Sequence, residues 1–250
     1  MTHQGPARLN RQRGFTLMEA TLAVLGMGVV LAAGMVARNP MATQSTAAEA
    51  TFMDSITASL FKYAKRNNRL PCPDTDNDGF ENATAGVCTS TGTTSGKVPY
   101  LTLEMTLSGP VGSGMEQQFT YGVYRGGGAA TKDLTLNAER SMAAGVSTPH
   151  VAPNASYKSL DDFKQAVINA GTATSAKSEI YVTGNDANSG DSDCNVVVAN
   201  MAFIVAFSGS RQAAVNSGNC FIGPGKPFSP TYDNLVRAVG FTELNGVLSR

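Results

Sequence analysis

Asp74, Asp76 and Asp78 alternate along one short stretch that ends on Gly79. Alternating carboxylates followed by a glycine reproduce the first half of a calcium loop, where oxygen ligands precede a sharp turn. The bidentate glutamate that completes such a loop is missing, and Ala85 stands in its place. A solvated turn rich in Asp and Asn accounts for the same residues, so Ca²⁺ binding and a plain turn are both open here. Asp186, Asp191 and Asp193, ahead of Cys194, carry the same two readings. A carboxylate of another kind, Glu19, is the only charge in the apolar run Phe15–Ala37. Histidine chemistry has only His3 and His150 to draw on. Ser208-Gly209-Ser210 lacks a nucleophile-elbow pattern, and Asp161-Asp162 suits a helix start better than a catalytic pair. The glycines of 109–114 lack the strand-to-helix setting of a phosphate cradle. The chain does not read as an enzyme.

Composition agrees with a folded, non-catalytic protein. Of 250 residues, 42% are apolar and only 15% charged, below the roughly 25% of an average soluble domain. Nineteen basic residues balance nineteen acids, which removes the argument for a globally basic nucleic-acid binder. The balance conceals a basic start, with Arg8, Arg11 and Arg13 and no acid before Phe15. The remaining chain has sixteen basic residues against nineteen acids. From Ala20 to Ala37 eighteen residues carry no charge. As a helix they would span about 27 Å, close to a hydrocarbon core of about 30 Å. The arginines would keep the N-terminus cytoplasmic and place everything after Arg38 outside. A secretory signal peptide or a plain signal anchor also fits this outline. Neither accounts for Glu19, whose burial in lipid would cost about 2.5–3.5 kcal/mol if unpaired.

Arg13-Gly14-Phe15-Thr16-Leu17-Met18-Glu19 and the apolar run after it closely resemble the class III signal of type IV pilins and type II secretion pseudopilins. The resemblance implies that prepilin peptidase cuts after Gly14, methylates Phe15 at its new amino terminus, and leaves the apolar helix in place. It also implies that Glu19 pairs with a neighbouring subunit's terminal amine during assembly. Such pairing is physically sensible, since an ammonium group neutralises the carboxylate in lipid. Many pilins carry a proline inside the apolar helix; here the first proline beyond Phe15 is Pro40. Leu70-Pro71-Cys72-Pro73 with the acidic loop, and Tyr232–Arg237, resemble a subgroup of minor pilins and pseudopilins more loosely.

The elements that must carry these residues follow from periodicity. Phe52, Ile56, Leu60 and Tyr63 fall on one helical face, Lys62, Lys65 and Arg66 suit a helix C-terminus, and Pro71 forbids continuation. The expected organisation is a leader at 1–14, a transmembrane and stalk helix at 15–68, and a globular head at 69–250. The fold class is α+β, with the amphipathic half of the helix packed on an antiparallel sheet. Strands are expected at Val98–Leu107, Gln118–Tyr124, Leu134–Asn137, Glu179–Thr183 and Val196–Phe207, the last as two hairpin arms around Asn200. Ser159 and Asp162 begin a helix through Leu160, Phe163, Val167 and Ile168, and a shorter helix is expected to include Tyr232–Val239.

Cys72, Cys88, Cys194 and Cys220 all fall on the exported side of this topology. An even count in an oxidising compartment argues for disulfides. Of three connectivities the local one, Cys72–Cys88 with Cys194–Cys220, is expected. No Cys-x-x-Cys pair supports zinc.

The resemblance implies a structural subunit held in the bacterial inner membrane, N-terminus cytoplasmic and head periplasmic, before it enters a pilus or pseudopilus as a minor component. Its partners would be prepilin peptidase, other pilin or pseudopilin subunits, the inner-membrane assembly machinery and lipid. No nucleic acid is expected, and Ca²⁺ is the only candidate ligand. Rival readings are a ligand-capturing minor pilin, for adhesion or DNA uptake, and an unassembled membrane-anchored calcium binder.

Overall fold

In the computed structural model the described residues are 40–89, 92–105, 118–138, 140, 159–183, 194, 196–208, 218–225 and 234–250. Residues 49–250 form one compact unit, and the residues before them a separate one. Helix α1, Pro40–Asn67, ends on Lys65 and Arg66 as anticipated. Its buried face is wider than the four-residue pattern: Met53, Ile56, Thr57, Leu60, Tyr63 and Ala64 are all buried. Each large apolar side chain so buried contributes roughly 2 kcal/mol.

That face lies on a four-stranded antiparallel sheet in the order β3 (Ser95–Lys97), β4 (Phe119–Val123), β7 (Phe203–Phe207), β9 (Leu235–Val239). The register pairs Phe119 with Phe207, Tyr121 with Val205 and Val123 with Phe203, so these six side chains share one face. Phe52 meets Phe119 at 5.2 Å and Phe61 meets Phe203 at 5.5 Å, ring to ring, which identifies that face as the one under α1. β7 is buried at every residue, as a central strand covered on both sides must be.

The opposite face of the sheet is closed by Ile180 and Phe221. A Cβ on Gly122 would stand 3.0 Å from Ile180 Cγ2 and 3.1 Å from the Phe221 ring, so glycine permits this approach. Phe221 belongs to a second sheet, ordered β6 (Ala199–Asn200), β5 (Tyr181–Thr183), β8 (Cys220–Ile222). Its β5–β8 pair is parallel, a departure from a wholly antiparallel head. A small hairpin, β1 (Ala83–Thr84) and β2 (Val87–Cys88), turns through Ala85 and Gly86 at φ of 52° and 78°. Helix α2, Leu160–Gly171, starts with the expected capping box, Ser159 and Asp162 bonding reciprocally. It packs on α3, Phe241–Leu248, and Phe241 sits edge-on to Tyr124 at 5.1 Å.

Four expectations are corrected. Val98–Met105, the described part of the first strand candidate, is a succession of turns. Pro99 has no N–H to give a ladder, and Glu104 adopts φ of 54°; the strand lies just before, at Ser95–Lys97. Leu134–Asn137 forms no strand, because Arg140 donates to the carbonyls of Asp133, Leu136 and Ala138. The two arms of Val196–Phe207 do not pair with each other; β6 joins β5 and β7 joins β4 and β9. Asn200 fixes this split, its side chain bonding Ala176 N, Ala176 O and Ile180 O. Finally, Leu235–Val239 is a strand rather than part of a helix, with α3 following it.

Candidate functional site

The chain leaves α1 through Arg69 and Leu70, and Cys72 then bonds to Cys88 with Cα atoms 5.5 Å apart. Cys194 bonds to Cys220 with Cα atoms 5.8 Å apart. The local pairing is therefore the one formed. By loop-closure entropy, bridges over sequence separations of 16 and 26 contribute about 3 and 3.5 kcal/mol.

The first ring carries the acidic triad. Asp74 is 1% exposed. Its Oδ1 accepts from the amides of Asn77 at 2.7 Å and Asp76 at 3.2 Å, and its Oδ2 from Gly79 at 2.8 Å. Asp74 also exchanges both backbone bonds with Lys97, at 3.1 and 2.7 Å, which extends the edge of β3. One oxygen each of Asp74, Asp76 and Asp78 lie within 4.8 Å of one another, a spacing compatible with a hard cation. Burial pushes the Asp74 carboxyl above its ordinary range, against the pull of its amides. A hydrogen bond from Asn82 holds Asp76, which is exposed, below its ordinary range. The triad thus brings together the residues the sequence singled out, but both Asp74 oxygens are already satisfied by protein. The place of a completing glutamate is occupied by the Ala85-Gly86 hairpin turn.

Glu81, which the sequence presented only as one more acid in the loop, is the better-connected residue. Its carboxylate receives Arg69 at Oε1 and Oε2, at 2.5 and 2.7 Å, the Cys72 amide at 2.9 Å and the Tyr63 hydroxyl at 2.9 Å. Arg69 also stands over the Tyr63 ring at 5.3 Å. Burial raises the Glu81 carboxyl, but Arg69, Cys72 and Tyr63 outweigh it and hold it below the usual range. The same burial, aided by Glu81, pushes the Tyr63 hydroxyl up. This cluster ties the end of α1 to the disulfide ring. The available signal was Arg69, a cation placed directly before the Leu-Pro-Cys-Pro turn.

A second buried polar group braces the far loops. Arg125 lies 3.6 Å from Asp133 and donates to Thr93 O at 3.0 Å. Glu179 accepts from the amides of Arg125, at 2.7 Å, and Gly127. Arg140, 4% exposed, donates from both terminal guanidinium nitrogens to carbonyls, and burial lowers its pKa. These contacts position backbone; none places a nucleophile beside a base. A shallow recess between α1 and the Thr102–Glu104 turn, lined by Lys62, Tyr63, Arg66 and Leu103 among others, has room for about one water.

Gly14, Phe15 and Glu19 lie outside the described residues, as do His150, Asp186, Asp191 and Asp193. Among the described residues no helix is long and apolar enough to cross a membrane. No family model, curated protein or solved structure matches the chain.

Proposed function

We propose that this chain is a prepilin-like structural subunit. Prepilin peptidase trims it after Gly14, and its N-terminal helix assembles it into a type IV pilus or a type II secretion pseudopilus as a minor component. The observation that carries this reading is the spacing of Gly14, Phe15 and Glu19 ahead of eighteen uncharged residues. A glycine before the apolar run and a carboxylate inside it are hard to reconcile with a signal peptide or a simple anchor. Two further features support it. The head is α+β, with α1 packed on an antiparallel sheet, and its four cysteines are all paired, as suits an oxidising compartment. In this reading the organisation is leader 1–14, helix 15–68 and periplasmic head 69–250.

Mass spectrometry of the membrane-extracted protein tests the proposal. The expected mature chain begins at N-methylated Phe15. A chain beginning after Ala37, as signal-peptide cleavage would leave, refutes it.

A further inference from the structure

We propose that the tip of the Cys72–Cys88 ring is a contact face through which two copies of this chain pair, with Phe80 and Leu101 at its centre. Phe80 is 53% and Leu101 42% exposed, and the backbone brings them together through the Leu101 amide on Gly79 O at 2.9 Å. The aromatic is not carried on a loose tip. Before it, the Gly79 amide is held by Asp74, and a Cβ there would strike the Tyr100 ring at 2.6 Å. Its own amide bonds Asp78 at 2.8 Å, and the Glu81 amide after it bonds Thr102 Oγ1 at 2.8 Å. An apolar side chain carried on backbone that is already held forfeits less ordering entropy on binding, and aromatics are favoured anchors of interfaces.

Charge selects the occupant. On one side of Phe80 the loop exposes Asp76 and Asp78. On the other side of Leu101, the turn to Glu104 meets the end of α1, where Lys62, Lys65 and Arg66 are exposed. Arg66 is bound by Glu104 at 2.8 Å, which leaves Lys62 and Lys65 in surplus. The patch therefore has an apolar centre, a negative end and a positive end. A partner carrying one sign of charge would be repelled at one end. A second copy related by a two-fold axis through the centre sets each negative end on the other's positive end, the self-complementarity an isologous contact requires. The pairing concerns the head and does not depend on the filament reading.

The test uses the full chain in detergent, with the photo-crosslinker p-benzoylphenylalanine at position 80. Illumination is expected to give a covalent product of twice the chain mass. In sedimentation, Asp76→Lys alone and Lys62→Glu alone should each weaken pairing at least tenfold, and the two together should restore it. Both residues are exposed and outside the Glu81 cluster, and intact disulfides in each variant report a native head. Product of single mass only, or pairing untouched by either reversal, overturns the proposal. Association through the N-terminal helix alone gives the second of these results.

Discussion

Glu81 receives Arg69 through both carboxylate oxygens while the Cys72 amide and the Tyr63 hydroxyl fill its remaining acceptor sites. The pair is largely buried, with 10% of the Arg69 side chain and 15% of the Glu81 side chain exposed. Removing one partner leaves the other charge uncompensated, which is far costlier than removing both.

Glu81→Ala should therefore destabilise the folded head by about 3 kcal/mol. The double variant Arg69→Met with Glu81→Met should recover most of that loss. Urea melts of the three proteins measure both numbers, and a double variant worse than the single would show the ion pair itself to be stabilising.

The same residue sets an acid response. A carboxyl held below its unfolded value contributes stability above that value, near 4.3 for glutamate, and loses it as pH falls through the folded pKa. Glu81 and Asp162, both held down, act in this direction; Asp74, raised by burial, acts in the opposite one. Wild-type stability should fall as pH drops below about 5, and Glu81→Gln should flatten that fall. Urea midpoints measured from pH 7 down to 3 follow the difference.

Asp74→Ala strands the amides of Asn77 and Gly79, at a cost of about 2 kcal/mol. Because backbone amides already bond both Asp74 oxygens, the loss should appear in chelator as fully as in Ca²⁺. A loss confined to Ca²⁺-containing buffer would assign the triad to the ion instead.

On the proposed assembly role, Glu19→Ala should still give trimmed, membrane-inserted protein with both disulfides formed. Its recovery in sheared filaments or pseudopili should be lower by at least about tenfold, a difference of ~1.4 kcal/mol. Recovery equal to wild type would remove the carboxylate from docking.

Local signals in this sequence were legible and non-local ones were not. The inner face of α1 and the capping box of α2 are written within a few turns of helix, and both form where expected. Gln118–Tyr124 and Glu179–Thr183 contain their strands, and cysteine proximity gave the disulfides. Leu235–Val239 misled because five residues, apolar but for Arg237, are too few to show a period; pairing along β7 decides its state. α3 was not among the expected elements, although Phe241, Leu244 and Leu248 stand at helical spacing directly beyond Gly240. The carbonyls of Leu134–Asn137 looked free to build a ladder until Arg140, itself buried, claimed three from that stretch and its flanks. At the acidic loop the alternation of aspartates was visible, but the partners of Glu81 come from α1 and the turn after it. No spacing rule joins Tyr63 to Glu81.

The stretch Ala199–Phe207 gives a two-residue edge to one sheet and a fully buried central strand to the other, with Asn200 anchored between them. Melting of one sheet pulls directly on the other, since only Met201 and Ala202 separate their registers on the same chain. The head should unfold as one cooperative unit, and amides of β5 and β7 should exchange hydrogen with a common, global opening energy. Refolding has to pair Phe119 with Phe207, a non-local contact, so the reaction should be slow for a domain of this size. If the chain is the exported subunit proposed above, its head spends an appreciable interval unpaired before it is competent to dock. On that proposal, the closing of β4 on β7 sets when assembly can begin.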